Sequence, residues 1–185
     1  MSAATSLAST LPGHRRLFFA LWPDAALRER LLETFGAAAA AAGGRAVAAE
    51  NLHVTLEFLG TVPASRLDEL EALGVATSLP AAALSLDTLE WWPRPALAVA
   101  GTSRPAGALL DLQAELRLRL GERGFRVDAR AFRPHLTLAR EVRVAPPLIR
   151  VARIDWPLAE LALVESHADA GGSRYTALAR WSRGC

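Results

Sequence analysis

The chain has 185 residues, of which 51% are hydrophobic, and a formal net charge of +2; this is enough for one compact domain with a buried core. All 21 basic residues are arginine, which excludes chemistry that needs a lysine, namely phosphate-loop nucleotide hydrolysis, Schiff-base catalysis and ligation through an adenylated lysine. The single cysteine, Cys185, excludes an intramolecular disulfide and a cysteine metal cluster, and it is compatible with a reducing compartment.

The chain begins with a polar segment rich in alanine, serine and threonine. Residues 1–15 lack the basic start and the long apolar run of a signal peptide, so we predict a disordered N-terminal tail followed by one domain of residues 16–185. No stretch reaches the roughly 18 uninterrupted apolar residues that a transmembrane helix requires. We therefore expect a cytoplasmic protein without a membrane span.

The first half of the domain predicts a strand, a helix and a second strand. Leu17–Trp22 is an apolar, aromatic run typical of a strand. Asp24 is a good N-cap for a helix that Gly43 and Gly44 end. The strand that follows contains the tetrapeptide His53–Leu56, which reads His-Val-Thr-Leu. The predicted apolar face of the helix consists of Leu27, Leu31 and Phe35.

The second half predicts the same order of elements. Ala96–Ala100 indicates a strand, and the helix after it ends at a break between Gly121 and Gly124. A second tetrapeptide, His135–Leu138, then reads His-Leu-Thr-Leu. The apolar face of this helix is predicted to consist of Leu109, Leu112, Leu116 and Leu120.

The two halves are related by a constant offset of 82 residues, the separation between His53 and His135. The offset continues upstream without a gap, so each helix precedes its histidine by the same distance. This indicates an internal duplication. The further matched pairs are Pro23 with Pro105, Ala26 with Ala108, Leu27 with Leu109, and Glu33 with Glu115.

Strand geometry suggests what the repeated motif does. Alternate side chains of a strand share a face, so His53 and Thr55 face one way, about 7 Å apart at roughly 3.3 Å of rise per residue, as do His135 and Thr137. Histidine exchanges a proton near neutral pH. Two such pairs facing one another suit in-line displacement at phosphorus, which needs a base on one side and an acid on the other.

Paired histidines also bind zinc, so a metal site is the main chemical alternative. Zinc usually takes three or four protein ligands, and neither motif supplies a second close ligand. The sequence therefore favours catalysis without a metal or another cofactor.

Several segments together resemble the 2H phosphoesterase superfamily, and within it the RNA 2′,3′-cyclic phosphodiesterases, also called 2′-5′ RNA ligases. The two histidine motifs are typical of the superfamily, and their flanking residues are typical of this branch. The resemblance covers nearly the whole chain from Arg16 onward. The segments are Arg16–Pro23, Asn51–Gly60, Phe132–Arg140, and a final strand from Leu163 through Ser166, Gly172, Tyr175 and Trp181.

The resemblance implies an α+β fold with two lobes related by a pseudo-twofold axis, antiparallel sheets lining a central cleft, and helices outside. It also implies hydrolysis of 2′,3′-cyclic phosphate ends of RNA to 2′-phosphomonoesters, and some family members also join RNA ends through a 2′-5′ linkage. His53 and His135 would be catalytic. We expect His53 to protonate the departing 3′-oxygen and His135 to activate water, but the reverse assignment stays open here because the repeat makes the two halves nearly equivalent by sequence. Thr55, Thr137 and Arg140 would bind the phosphate.

Other assignments stay open at this stage. The substrate is expected to be either an RNA end or a small cyclic nucleotide such as ADP-ribose cyclic phosphate. The same fold also suits a non-catalytic RNA- or nucleotide-binding module, and the protein is expected to be a monomer. Phe132, Trp91 and Trp92 are candidates for stacking on a base, or else core residues. Residues 94–185 carry 15 arginines against 9 acids, a charge suited to a polyanion.

Overall fold

The computed structural model describes residues 13–145, 151–169 and 172–183. Over these residues the chain forms ten β-strands and three α-helices, and none of the three helices is long and apolar enough to cross a membrane. The elements in chain order are β1 (His14–Leu21), α1 (Ala25–Ala41), β2 (Arg45–Ala46), β3 (Val54–Pro63), α2 (Leu67–Val75), β4 (Ala83–Leu86), β5 (Thr88–Trp92), β6 (Leu97–Gly101), α3 (Gly107–Glu122), β7 (Leu136–Arg140), β8 (Ile154–Pro157), β9 (Glu160–Asp169) and β10 (Gly172–Ser182).

Helix α1 begins and ends where the sequence predicts. The Asp24 carboxylate accepts a hydrogen bond of 2.7 Å from the Leu27 N–H, which satisfies one of the free donors of the first turn. The helix ends just before Gly43, whose φ of +69° is left-handed backbone that favours glycine. Its predicted apolar residues, Leu27, Leu31 and Phe35, are all buried.

The strands form two four-stranded antiparallel sheets. The first sheet has the order β10-β9-β1-β3, and the second has the order β2-β7-β6-β5; β4 and β8 form a separate pair. Helix α1 contacts β7 of the second sheet, whereas α3 contacts β3 of the first. Each helix therefore packs on the sheet that carries the other histidine motif, which joins the two lobes through one core.

Two series of elements in the chain follow the same order. The series β1, α1, β3 matches the series β6, α3, β7 in order, and both outer strands of each series pair antiparallel. The register is not the same, because Thr55 lies opposite Ala20 whereas Thr137 lies opposite Val99. The predicted α+β class with antiparallel sheets is confirmed.

The N-terminal boundary of the domain differs from the prediction. The tail was predicted to reach residue 15, but His14 and Arg15 belong to β1, where Arg15 lies opposite Val62. An Arg15 Nη1 to Glu165 Oε2 ion pair of 2.6 Å joins this strand to β9. The polar residues at the start of β1 show no local strand pattern. They are part of the strand because β1 pairs with β3 and β9, which come from distant parts of the sequence. Residues 1–12 of the predicted tail lie outside the described residues.

The predicted final strand from Leu163 to Trp181 is instead two strands. Strands β9 and β10 pair antiparallel, with Tyr175 opposite Ser166 and Trp181 opposite Leu161. The sequence signal for the break is the glycine pair at 171 and 172, which favours a turn between strands.

A buried carboxylate connects the lobes near the second histidine motif. Glu57, on β3, is only 2% exposed, and its oxygens accept hydrogen bonds from the Gln113 side chain at 2.9 Å and from the Asp128 N–H at 2.7 Å. The Arg117 Nε lies 3.4 Å from the same carboxylate. Glu57 therefore ties β3 to α3 and to the segment that leads to His135.

We expect Glu57→Ala to lower the free energy of unfolding by about 1–3 kcal/mol or more, because it leaves buried donors without an acceptor. Thermal unfolding would measure this loss. The control is Glu69→Ala, since Glu69 forms a partly exposed pair with Arg66 three residues earlier, and a pair near the surface is worth about 0–1 kcal/mol. Equal losses for the two variants would contradict a connecting role for Glu57.

Candidate active site

The two histidine motifs meet at one cleft. His53 immediately precedes β3, His135 immediately precedes β7, and β3 contacts β7. The cleft has a volume of about 420 Å³. The structure thus brings together five of the residues predicted from the sequence, which all line this cleft: His53, Thr55, His135, Thr137 and Arg140.

Each imidazole is held by the same backbone hydrogen bond. His53 Nδ1 lies 2.7 Å from the Asn51 carbonyl oxygen, and His135 Nδ1 lies 2.7 Å from the Arg133 carbonyl oxygen. A carbonyl oxygen only accepts, so Nδ1 carries the proton and donates it in both rings. Nε2 of each neutral ring is then left as a proton acceptor toward the cleft.

The first histidine and threonine lie closer together than the strand geometry predicts. His53 Nε2 is 3.0 Å from Thr55 Oγ1, whereas about 7 Å was expected from regular alternation. The reason is that β3 begins at Val54, so His53 precedes the strand and its ring folds over the next two residues. With Nδ1 protonated, the Thr55 hydroxyl donates to Nε2.

His53 is enclosed by aromatic rings. The indole of Trp22 stacks on the imidazole at 5.5 Å between centroids, and the rings of Phe18 and Tyr175 lie 4.9 Å and 5.0 Å away. Burial lowers the pKa of His53 to about 4, and the charges of Arg140 and His135 act in the same direction. His53 is therefore neutral in the free protein at pH 7.

His135 has a different environment. The Trp92 ring lies 4.4 Å from the imidazole, and the Glu90 carboxylate accepts hydrogen bonds from Trp92 Nε1 and from Arg133 Nη2, each at 2.9 Å. Burial lowers the pKa of His135, with Arg133 and Arg140 acting in the same direction and Glu90 opposing them. The two halves of the site thus differ in charge although they share a backbone design.

Two residues of the site, Asn51 and Tyr175, lie in the segments that carry the family resemblance but were not predicted to be site residues. The Asn51 side chain donates to the Ser173 carbonyl at 2.9 Å and accepts from the Tyr175 N–H at 3.3 Å. The Tyr175 hydroxyl in turn lies 3.5 Å from Arg140 Nη2. Asn51 therefore ties β10 to the segment that holds His53, and Tyr175 steadies the guanidinium in the cleft.

The sequence pattern does not reveal the role of either residue. Asn51 precedes His53 by the same two positions as Arg133 precedes His135, but the shared feature is a main-chain carbonyl, which side-chain identity does not reveal. Tyr175 lies on β10, far along the chain from His53, and only the tertiary fold brings the two residues together.

Phe132 does not line the catalytic cleft. It lines a neighbouring cavity of about 310 Å³, which also includes Trp92 and which shares Thr55 and His135 with the cleft. Trp91 lies outside this lining, and its Nε1 donates to the Val142 carbonyl at 3.2 Å. The structure thus separates two tryptophans that the sequence treated alike.

Within residues 13–145, 151–169 and 172–183, no three His, Cys, Asp or Glu side chains lie close enough together to hold a metal ion. The carboxylate beside His135 belongs to Glu90, and it is already bound to Trp92 and Arg133.

Comparisons with known proteins agree with this geometry. The family model described as LigT like Phosphoesterase matches residues 21–98 and 101–175, and each segment contains one histidine motif. The chain belongs to this phosphoesterase family. It is similar to the RNA 2′,3′-cyclic phosphodiesterase of Escherichia coli K12, with 34% identity over 91% of this chain and 96% of that protein.

A second relative and a solved structure are also similar to this chain over most of its length. The RNA 2′,3′-cyclic phosphodiesterase of Thermus thermophilus is 32% identical over 90% of this chain and 89% of that protein. The crystal structure of E. coli LigT complexed with 3′-AMP superposes with a TM-score of 0.80 at 32% identity, covering 91% of this chain and 98% of that one. The predicted family and the predicted enzyme class are confirmed.

We expect Glu90→Gln to lower the pKa of His135, because the variant removes the negative charge that opposes Arg133 and Arg140 but keeps an acceptor for Trp92. A titration of the His135 ring followed by NMR would measure the shift. The control is Glu160→Gln, which removes a carboxylate paired with Arg180. An unchanged pKa of His135 in Glu90→Gln would show that the carboxylate does not act on the ring.

Proposed function

We propose that this LigT-like phosphoesterase hydrolyses the 2′,3′-cyclic phosphate at an RNA end to a 2′-phosphomonoester, by acid-base catalysis without a metal. The observation that carries the proposal is the pair of imidazoles at one cleft, each with Nδ1 bound to a carbonyl, which makes Nε2 the nitrogen that exchanges a proton. In the free protein, His53 Nε2 accepts a hydrogen bond from Thr55, and the substrate would replace this contact. The names of the relatives and the nucleotide bound to the E. coli protein support the same substrate class.

The reaction exchanges one bond at phosphorus for another. A water oxygen forms a bond to phosphorus while the bond from phosphorus to the 3′-oxygen breaks. His135 Nε2 takes the proton of the water, and protonated His53 gives a proton to the departing 3′-oxygen. The anionic substrate beside His53 favours its charged form, so binding raises the low pKa of this ring toward the working range.

The charges around the two rings support this assignment of roles. The Glu90 carboxylate opposes the lowering of the His135 pKa, so His135 is the better base and its imidazolium is stabilised as it forms. Burial lowers the pKa of His53, which makes its imidazolium a stronger acid toward an alkoxide leaving group.

The phosphate oxygens would be held by Thr55, Thr137 and Arg140. The Arg140 guanidinium is steadied by a neutral partner, the Tyr175 hydroxyl, so its charge remains available for an anion. A guanidinium binds two oxygens at once and offsets the charge of the pentavalent transition state.

An RNA 5′-hydroxyl in place of water would give 2′-5′ ligation through the same geometry. We propose that the protein is a monomer in the cytoplasm, a compartment with which the single cysteine is compatible. We also propose that the folded domain begins at His14. Phe132 is proposed to stack on a base of the substrate.

We expect the protein to hydrolyse an oligoribonucleotide 2′,3′-cyclic phosphate in EDTA, with phosphorus NMR detecting only a 2′-phosphate product. The control is the double variant His53→Ala/His135→Ala. Activity that disappears in EDTA and returns with zinc would contradict the metal-free mechanism. Binding without turnover would favour the non-catalytic module, and faster turnover of ADP-ribose cyclic phosphate would favour a small-nucleotide enzyme.

His53→Ala and His135→Ala should each lower turnover by about 10²–10⁴-fold. A substrate whose bridging 3′-oxygen is replaced by sulfur distinguishes their roles, because a thiolate leaves without a proton. We expect the sulfur substrate to restore much of the rate of His53→Ala and none of the rate of His135→Ala. The opposite pattern would reverse the two roles.

Thr55→Val and Thr137→Val should weaken binding of a 2′-phosphonucleotide by about 0.5–3 kcal/mol each, because a hydrogen bond to a charged group is lost while the β-branched shape is kept. Arg140→Lys should also bind more weakly, since lysine lacks the two-pronged geometry. Calorimetric binding and thermal unfolding would be measured together. Valine variants that unfold early but bind normally would identify the threonines as packing residues only.

A further inference from the structure

The catalytic cleft is lined by a second guanidinium besides Arg140, that of Arg16 on β1. We propose that Arg16 binds a phosphate on the 5′-oxygen of the ribose that carries the cyclic phosphate, an inference that rests on the proposed function. Two kinds of substrate have this chemistry. In an RNA end the phosphate is the diester to the preceding nucleotide, and in ADP-ribose cyclic phosphate it is part of the diphosphate.

Arg16 faces the cleft from the same side of the first sheet as an aromatic residue that encloses His53. Alternate side chains of a strand share a face, so Arg16 and Phe18 point the same way on β1. The Phe18 ring lies 4.9 Å from the His53 ring. Arg16 is two residues further along, about 7 Å at roughly 3.3 Å of rise per residue. It therefore lies beside the histidine but one side chain further out.

A neutral partner holds Arg16 in place. Its guanidinium lies 4.8 Å from the centroid of the Phe58 ring, and a cation–π contact holds a guanidinium without neutralising it. Within the ranges of the chain that the structure describes, no carboxylate forms an ion pair with Arg16, whereas its neighbour Arg15 pairs with Glu165 at 2.6 Å. The charge of Arg16 is thus available for an anion in the cleft.

The internal repeat shows that each half of the protein brings one guanidinium to the cleft, but from different strands. Phe58 and Arg140 each lie five residues after the histidine of their own motif, and both line the cleft. At the 82-residue offset, the residue equivalent to Arg16 is Ala98, which is buried. The first half therefore has a guanidinium on β1 and a ring on β3, where the second half has a methyl group on β6 and a guanidinium on β7.

The two guanidiniums lie at different distances from the reacting centre. The charge of Arg140 lowers the pKa of both His53 and His135, and Arg16 is not among the groups that act on either ring. Because the interaction between charges weakens with distance, Arg140 is the guanidinium beside the cyclic phosphate and Arg16 lies beyond it. An anion at Arg16 would therefore be a second phosphate of the substrate.

The surroundings of Arg16 leave room for that phosphate. On β9, Ser166 follows Glu165, which lies opposite Leu17, so Ser166 and Arg16 belong to the same end of the sheet. Ser166 and Ala168 both line the cleft. A small side chain leaves space, and the serine hydroxyl can donate to a phosphate oxygen. The cleft volume of about 420 Å³ is that of a site for a whole small molecule, about 300–1,000 Å³.

The covalent structure of a nucleotide fits this arrangement. The 5′-oxygen and the cyclic phosphate are attached at opposite ends of one ribose, so two phosphates on it are separated by one sugar. With the cyclic phosphate between the two imidazoles, a ribose that extends along β1 brings its 5′-oxygen toward Arg16. Because the first phosphate is already bound, the second contact forms at a high effective concentration.

The test compares two product analogues that differ by one phosphate. The affinities of 2′-AMP and adenosine 2′,5′-bisphosphate are measured by calorimetry with the wild-type protein, with Arg16→Gln and with Arg174→Gln as the matched control. Arg174 is exposed and lies on β10 opposite His167, next to Tyr175 but pointing to the other face of the same sheet. The control thus removes the same charge without touching the cleft.

The wild-type protein should bind the bisphosphate about 5- to 30-fold more tightly than 2′-AMP, a ratio between those expected from a surface ion pair and from a hydrogen bond to a charged group. The ratio should fall as salt is added, because exposed charges are screened. Arg16→Gln should weaken the bisphosphate more than 2′-AMP and bring the ratio close to one, and Arg174→Gln should keep it.

A wild-type ratio near one would overturn the proposal. So would an Arg16→Gln variant that keeps the wild-type ratio, or one that weakens both ligands equally, because Arg16 would then only support the Phe58 ring.

Turnover identifies the source of the second phosphate. We compare kcat/KM for adenosine 2′,3′-cyclic phosphate, for the dinucleotide ApA with a 2′,3′-cyclic phosphate end, and for ADP-ribose cyclic phosphate. At least one of the two larger substrates should be preferred, and Arg16→Gln should remove the preference by raising KM, since the contact forms on binding. A larger advantage of the dinucleotide identifies an RNA end, and a larger advantage of ADP-ribose cyclic phosphate identifies a small nucleotide.

No advantage of either larger substrate over adenosine 2′,3′-cyclic phosphate would count against the Arg16 contact. If none of the three substrates is hydrolysed, the proposed function fails. The affinity ratio of the two product analogues still decides in that case whether Arg16 binds a second phosphate.

Discussion

The site depends on one repeated interaction, the hydrogen bond from a histidine Nδ1 to the carbonyl oxygen two residues earlier. It fixes the tautomer, the ring orientation and the direction of Nε2 for both His53 and His135, with the same length of 2.7 Å. The acceptor is main chain, so the interaction needs a particular backbone path before the strand rather than a particular side chain. This explains how Asn51 and Arg133, which differ in size and charge, serve the same purpose in the two halves.

The two halves have diverged around this shared design. Aromatic rings enclose His53 and lower its pKa to about 4 mainly by burial, whereas a network of Glu90, Trp92 and Arg133 surrounds His135. A buried neutral ring and a ring beside a carboxylate differ in how readily they hold a proton. A duplicated scaffold thus provides two chemically distinct proton-transfer groups without a change in backbone architecture.

The sequence was sufficient for the elements and motifs that repeat. Periodicity predicted α1 with its cap at Asp24, and the 82-residue offset predicted that His53 and His135 belong to equivalent strands. Long-range contacts could not be predicted from the sequence. Examples are the ion pair between Arg15 on β1 and Glu165 on β9, and the hydrogen bond from the Asn51 side chain to β10. The spacing of His53 and Thr55 was mispredicted, because ideal strand geometry does not apply to a residue that lies just before the strand. Contacts between distant segments and deviations at element ends carry no local pattern.

Phe58 and Arg140 show why divergence matters more than symmetry in this cleft. A cleft with strict twofold symmetry would bind a cyclic phosphate equally in two orientations, and each histidine would meet the 3′-oxygen in one orientation and the water in the other. The 3′-oxygen would depart in both orientations, but neither histidine would have a fixed role as acid or base. A guanidinium on β7 and a phenyl ring on β3, at equivalent positions, present unlike groups to the two ends of the substrate. Because the Arg140 guanidinium and the Phe58 ring bind different parts of a substrate, they favour one orientation of that substrate in the cleft. A fixed orientation gives the two equivalent histidines separate roles.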